Sequence, residues 1–126
     1  MNFSFTKLDR LHSSRDFRHL LRRGRVYTHQ AFKVFISGNN PSERTRLGLV
    51  ISKKLGGAVQ RNRLKRRLRE IFRLNRHALK RHVDIIFMPK GRAAELDYGQ
   101  LEEIVLGLWR KAKLFENADK SKPDAH

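Results

Sequence analysis

The chain has 126 residues, enough for one domain with a modest core and too few for two independent ones. Lys and Arg number 29 against 12 Asp and Glu, a formal net charge of +17 at which a compact chain repels itself unless a polyanion neutralises it. There is no cysteine, which excludes disulfides and thiolate metal sites; no apolar run approaches the ~18 residues of a membrane span; and 39% hydrophobic content with eight Phe excludes a merely basic disordered tail.

Nucleic acid is the partner class this charge favours, ahead of an anionic membrane surface. Residues 1-12 read as a basic, irregular arm without the apolar region of a secretory signal, so a soluble cytoplasmic protein with no membrane partner is expected. A single globular domain is expected over residues 13-115 and a flexible polar tail over 116-126.

Ser13 or Ser14 caps a first helix, with Asp16 in its first turn and Phe17, Leu20 and Leu21 on its apolar face; Gly24 stops it. Residues 26-37 favour strand, with a break near Thr28-His29-Gln30. Phe32, Val34 and Ile36 share one face and are the better core candidates, while Lys33 and Phe35 share the other. Gly38-Asn39-Asn40-Pro41-Ser42 is a turn, and a strand from 46 to 52 follows it; a hairpin between these two strands is expected. Lys53 to Gly57 forms a basic, glycine-containing turn.

A second helix is expected from Ala58 or Val59 to Leu79. Leu64, Leu68, Ile71, Phe72, Asn75 and Leu79 fall on one side, and Asn62, Arg66, Arg69 and Arg73 on the other. Lys65 and Arg67 flank the stripe, with stems positioned to cover core while their charges stay wet. The near-continuous apolar run from Val83 to Met88 reads as an inner strand. A last helix over 95-115 carries Leu101, Ile104, Val105, Leu108, Trp109, Ala112 and Phe115 near one face. The order of elements gives a small α+β (mixed α/β) domain.

Within Arg61 to Arg69, positions 61, 63, 65, 66, 67 and 69 are basic. Arginine grips phosphate with two parallel N–H donors and lysine offers a mobile point charge, so the stripe can track an RNA backbone; the amides near Gly57 to Val59 offer a further phosphate site. Any one of these arginines can simply solvate a helix, and Asn62 can merely tolerate an exposed position, but the one-sided stripe as a whole favours contact. Phe17, Phe35 and Lys33 offer a stacking and charge platform for unpaired nucleotides, against ordinary core packing as the alternative. Lys53 and Lys54 either extend the phosphate path or serve solubility.

No catalytic constellation is legible. Asp9, Asp16, Asp84, Asp97 and Glu70 lie in different elements, the six histidines form no ligand motif, and Gly56-Gly57 lacks the lysine and hydroxyl of a Walker loop. No catalytic residue, protein metal site or organic cofactor is therefore expected.

The ordered combination Arg46-Leu47-Gly48-Leu49-Val50-Ile51-Ser52-Lys53-Lys54, then Leu55-Gly56-Gly57, then Ala58-Val59-Gln60-Arg61-Asn62-Arg63-Leu64-Lys65-Arg66-Arg67-Leu68-Arg69-Glu70, resembles the bacterial ribonuclease P protein family. Arg10-Leu11, Asp16-Phe17, Gly24, Phe32 and the region from Asp84 to Lys90 extend the resemblance over residues 8 to 115. It implies an accessory subunit of a ribonucleoprotein endoribonuclease whose catalytic RNA removes the 5′ leader of precursor tRNA, using Mg2+ held mainly by that RNA and the substrate. The partners it implies are catalytic RNA and precursor tRNA, without an obligate protein partner. Residues Arg61, Asn62, Arg63, Lys65, Arg66, Arg69 and Arg73 would meet the catalytic RNA. Phe17, Leu21, Lys33, Phe35, Lys53 and Lys54 would line the leader cleft, Leu21 standing where relatives can carry an aromatic. The implied fold is a four-stranded sheet with three helices, ribosomal-protein-like, with a left-handed βαβ crossover, which general handedness rules disfavour. The competing accounts are a ribosomal or general RNA-folding protein and a protein-only nuclease.

Overall fold

The computed structural model describes residues 10–11, 13–40, 44–79 and 82–115. Most of the expected arm, the tail and part of the 38–42 turn lie outside the described residues.

Helix α1 (Ser14–Arg23) is capped by Ser13, whose Oγ accepts the Asp16 N–H at 3.2 Å, and its last turn carries Arg22 and Arg23 against the helix dipole. Gly24 ends it by turning into extended backbone at φ −68°, its N–H still donating to the Leu20 carbonyl. A side chain there would stand 2.5 Å from Leu20 Cδ1 and 2.6 Å from the Leu20 oxygen, so close approach is what requires glycine.

Strands β1 (Arg25–His29) and β2 (Phe32–Asn39) form an antiparallel hairpin through Gln30 and Ala31, with Arg25 opposite Ile36 and His29 opposite Phe32. The expected break near residues 28–30 is thus a chain reversal. His29 Nδ1 accepts the Ala31 N–H at 3.1 Å across it.

The expected hairpin between the strand ending at Ser37 and the one beginning at Arg46 does not form. The strand order is β1-β2-β4-β3, with β4 (Val83–Pro89) pairing antiparallel to β2 and parallel to β3 (Arg46–Leu49). The apolar run of β4 explains this. Val83, Ile85, Ile86 and Phe87 are all buried, and only a central strand covered on both faces can bury consecutive residues. β3 is also shorter than expected: Val50 donates to the Phe87 oxygen, and Ser52 leaves the ladder to cap a 3-10 turn at Lys53–Leu55, its Oγ accepting the Lys54 N–H.

Helix α2 (Ala58–Asn75) crosses back from β3 to β4. The α-helix stops at Asn75, whose side-chain amide donates to the Ile71 carbonyl and to Glu102, and a 3-10 turn at Arg76–Ala78 carries the chain to Leu79. Helix α3 (Tyr98–Lys111) begins later than expected, after a 3-10 turn at Ala93–Glu95. Asp97 caps it, accepting the Gln100 N–H, while the Gln100 side chain accepts the Asp97 N–H.

The layers are α1, the sheet, then α2 and α3. On the α2/α3 face Phe32, Val34, Ile36, Leu47, Ile85 and Phe87 meet Leu64, Leu68, Ile71, Phe72, Leu101, Val105 and Trp109. On the other face, α1 lays Leu20 on Phe35 and Ile86, with Leu11 joining them. Ile104 and Phe115, expected in the core, are only partly buried at its margin. Arg10 and Leu11 run parallel along the outer side of β3, the Leu11 N–H donating to the Leu47 oxygen at 3.0 Å, which protects an otherwise unpaired sheet edge. Among the described residues no helix is long and apolar enough to cross a membrane.

Candidate nucleic-acid interface

Helix α2 separates its two sides as its periodicity predicts. Leu64, Leu68, Ile71 and Phe72 are buried, whereas Asn62, Arg63 and Arg66 are exposed. Arg61 is half-buried, and its Nε donates to the Gly56 carbonyl at 3.0 Å, bracing the turn that feeds the helix. The Gly57 N–H is taken by Gln60 Oε1 at 2.7 Å, so that amide is not open to a phosphate. Arg67 is not simply a wetted cation: its Nη1 donates to the Leu96 carbonyl at 2.7 Å and ties α2 to the segment before α3.

Arg69 and Arg73 differ although both belong to the same stripe. Arg73 is held by Glu70 through contacts of 3.0 and 2.5 Å, and this hydrogen bonding raises the Arg73 pKa and lowers that of Glu70. Arg69 is half-buried; burial lowers its pKa, and repulsion from Arg10 lowers it further.

Around the outer side of β3, Arg10, Leu11, Phe17, Leu47, Gly48, Leu49, Lys65 and Arg69 line a groove with a volume of about 340 Å³. Phe17 from the expected leader set and Lys65 and Arg69 from the expected catalytic-RNA set therefore meet in one depression. Arg10 is the member that sequence reasoning missed, because only the pairing along β3 brings it there.

The remaining expected leader residues are distributed across the α1 face. Leu21 and Phe17 are half-buried, and they pack with Val50 and Met88 around the small core. Phe35 is only 7% exposed and belongs to that core itself. Lys33 lies two residues from Phe35 on the same face, opposite Met88, and is half-buried. Lys53 and Lys54 are exposed on the turn that follows β3, at the same end of the sheet as Lys33 and Met88. Val50 and Met88 were not singled out by sequence; the alternation that places Met88 with Ile86 was the available sign.

Two of the scattered carboxylates do converge, but on a cation. Arg46 Nε and Nη2 each donate to Asp84 at 2.8 Å, and Asp16 stands 3.7 Å from Arg46. Among the described residues no group of three or more His, Cys, Asp or Glu side chains is placed to hold a metal ion.

A basic helix face mounted on a four-stranded sheet, beside a groove that Phe17 shares with Lys65 and Arg69, has the chemistry of a nucleic-acid-binding protein. Comparison with known proteins makes the class specific. The family model described as Ribonuclease P matches residues 5–113. The ribonuclease P protein component of Finegoldia magna is 39% identical over 103 residues, covering 82% of this chain and 89% of that one. That of Dictyoglomus thermophilum is 35% identical over 113 residues, covering 87% and 92%. The solved structure of the Staphylococcus aureus RNase P protein superposes with a TM-score of 0.77 at 30% identity, covering 86% and 98% of the two chains. That of the Thermotoga maritima protein gives 0.72 at 33%, covering 81% and 96%. The chain belongs to the ribonuclease P protein family. Its role is that of an accessory subunit of a ribonucleoprotein endoribonuclease, assisting RNA-based removal of the 5′ leader from precursor tRNA.

Proposed function

We propose that the protein performs this role with two RNA surfaces that adjoin at the edge of the sheet. Asn62, Arg63 and Arg66, with Arg61, Lys65, Arg69 and Arg73 around them, hold backbone phosphates of the catalytic RNA. The α1 face, with Phe17 and Leu21 at its opening, Phe35 as its floor and Lys33, Lys53 and Lys54 as its cations, takes the single-stranded leader of precursor tRNA. The observation that carries this is the groove shared by Phe17, Lys65 and Arg69. A strand leaving it on one side meets aromatic and apolar surface, and on the other meets cations.

The chemistry then lies outside this chain. Mg2+ is held mainly by catalytic RNA and substrate, and the protein contributes charge neutralisation and positioning, which strengthen substrate binding and favour assembly at low salt. Neither a membrane, an organic cofactor nor an obligate protein partner is needed for this role. The domain over 13–115 carries both surfaces, between a basic arm over residues 1–12, whose Arg10 adds a cation to the shared groove, and a tail over 116–126. A cytoplasmic location follows from the substrate.

The test is reconstituted cleavage with matched catalytic RNA, using precursor tRNAs with long and minimal leaders. The protein should tighten binding of the long-leader substrate selectively. Purified protein cutting at the correct junction without the RNA would refute the division of labour, and equal stimulation of both substrates would refute the leader cleft.

A further inference from the structure

A second basic concavity lies at the opposite end of the sheet from the start of α2. It opens where β1 begins, β2 ends and β4 begins, with a volume of about 360 Å³, and its walls include Arg25, Tyr27, Gly38, Lys111 and Lys113. The three cations are exposed, no carboxylate lines the concavity, and among the described residues none of the three has an ion-pair partner.

The C-terminus of α3 accounts for part of this charge, because cations there complement the helix dipole. It does not account for Arg25, which comes from β1. Nor does it account for the backbone of Lys113. The end of α3 is closed by Leu114 N–H donating to the Trp109 carbonyl at 3.1 Å and Lys113 N–H donating to the Arg110 carbonyl at 3.0 Å. This pair of bonds places Lys113 where a left-handed residue is required, at φ 59°, a position that glycine occupies at least cost. A lysine in that strained conformation points to a use for its ammonium group beyond capping.

We propose that this concavity binds a backbone phosphate of RNA, with the Arg25 guanidinium as the forked donor and the Lys111 and Lys113 ammonium groups closing around the anion. The site is separate from the α2 stripe and the α1 cleft. Together with them it lets RNA hold the protein at both ends of the sheet. The phosphate comes either from the catalytic RNA or from precursor tRNA.

The test uses the full chain in three forms. The Arg25→Gln, Lys111→Gln pair should weaken RNA binding about fivefold at ~0.15 M salt and flatten the salt dependence by about one phosphate contact. An Arg92→Gln, Arg110→Gln pair removes the same charge elsewhere and should lose less; an equal loss would reduce the effect to net charge and overturn the site. Lys113→Gly should raise the melting temperature while weakening binding, whereas a gain in stability with unchanged affinity would mean that the lysine only caps the helix. The sources are separated by Gly38→Cys, the only thiol in the chain, at a position where an added Cβ meets nothing within 4 Å. Iron-EDTA tethered there should cut catalytic RNA, substrate or both within the assembled complex, and cutting of neither would overturn the proposal. Arg66→Ala assayed alongside reports the α2 surface independently, so failure of one site is not mistaken for failure of the other.

Discussion

Phe17 is seated against the bare backbone of Gly48: a Cβ added to Gly48 would lie 2.5 Å from Phe17 Cε2 and 3.2 Å from Ile86 Cγ1. The aromatic ring thus occupies the space left by an absent side chain on β3, which fixes it at the mouth of the groove shared with Lys65 and Arg69. Gly48→Ala should move the ring, cost about 1 to 3 kcal/mol of stability, and reduce discrimination between long-leader and leaderless tRNA. Paired denaturation and binding measurements check this; an unchanged leader preference with the ring displaced would separate Phe17 from leader recognition.

Phe17 and Phe35 should respond differently to truncation, although both belong to the expected leader set. Phe35 is buried against Leu11, Leu20 and Ile86, so Phe35→Ala should cost about 3 to 5 kcal/mol and lower binding of every RNA through loss of folded protein. Phe17 retains exposed surface, and Phe17→Ala should cost less stability and remove about 1 to 3 kcal/mol from long-leader binding alone. Trp109, the single tryptophan and fully buried, gives the fluorescence readout of unfolding that separates the two effects.

The Asp84 carboxylate binds Arg46 through both oxygens and also accepts from Asn40 Nδ2 at 2.9 Å, linking β3, β4 and the segment after β2. Asp84→Ala should destabilise the fold by about 3 kcal/mol, the lower end of the range for breaking a buried pair, because Arg46 keeps 21% of its side chain in solvent. Chemical denaturation checks it. A loss below about 1 kcal/mol would place this pair among ordinary surface contacts.

Glu70 titrates below the ordinary carboxylate range because Arg73 hydrogen-bonds its ionised form. The stabilisation from this pair is complete above the ordinary range and disappears as pH falls through the lowered folded-state value. Arg73→Ala should shift the Glu70 titration upward, which carboxyl-carbon NMR follows directly. An unmoved titration would show that the pair does not form in solution.

Within the α2 stripe, Arg66→Ala should reduce the salt dependence of catalytic-RNA binding by about one contact with little change in stability, since its side chain is exposed and makes no described ion pair. Binding curves across a salt series read this out. An unchanged slope would remove Arg66 from the interface.

The helices and the inner strand were legible because their apolar spacing is enforced by burial: Leu64, Leu68, Ile71 and Phe72 repeat at helical intervals, and Ile85 to Met88 run without interruption. Pairing was not legible, since the turn residues after Ile36 announce that a strand ends but not which strand lies beside it. The preference of β4 for a doubly covered position decided that. In the site, the charge of each arginine was plain, but its partner was not. Glu70 beside Arg73 follows from helical spacing alone, whereas Leu96 beside Arg67 and Arg10 beside Arg69 depend on where distant segments cross. Phe35 shows the same boundary, its alternation with Lys33 suggesting an exposed face that α1 in fact covers.

The central place of β4 has a consequence for synthesis. The apolar side of α2 rests on Val83, Ile85 and Phe87, residues that leave the ribosome after the whole of α2. A nascent chain interrupted before residue 83 carries the full basic stripe but no sheet centre to hold it, because β2 and β3 have lost the strand that joins them. Only a finished polypeptide displays its cations in fixed register, so truncated products are poor competitors for assembly with RNA.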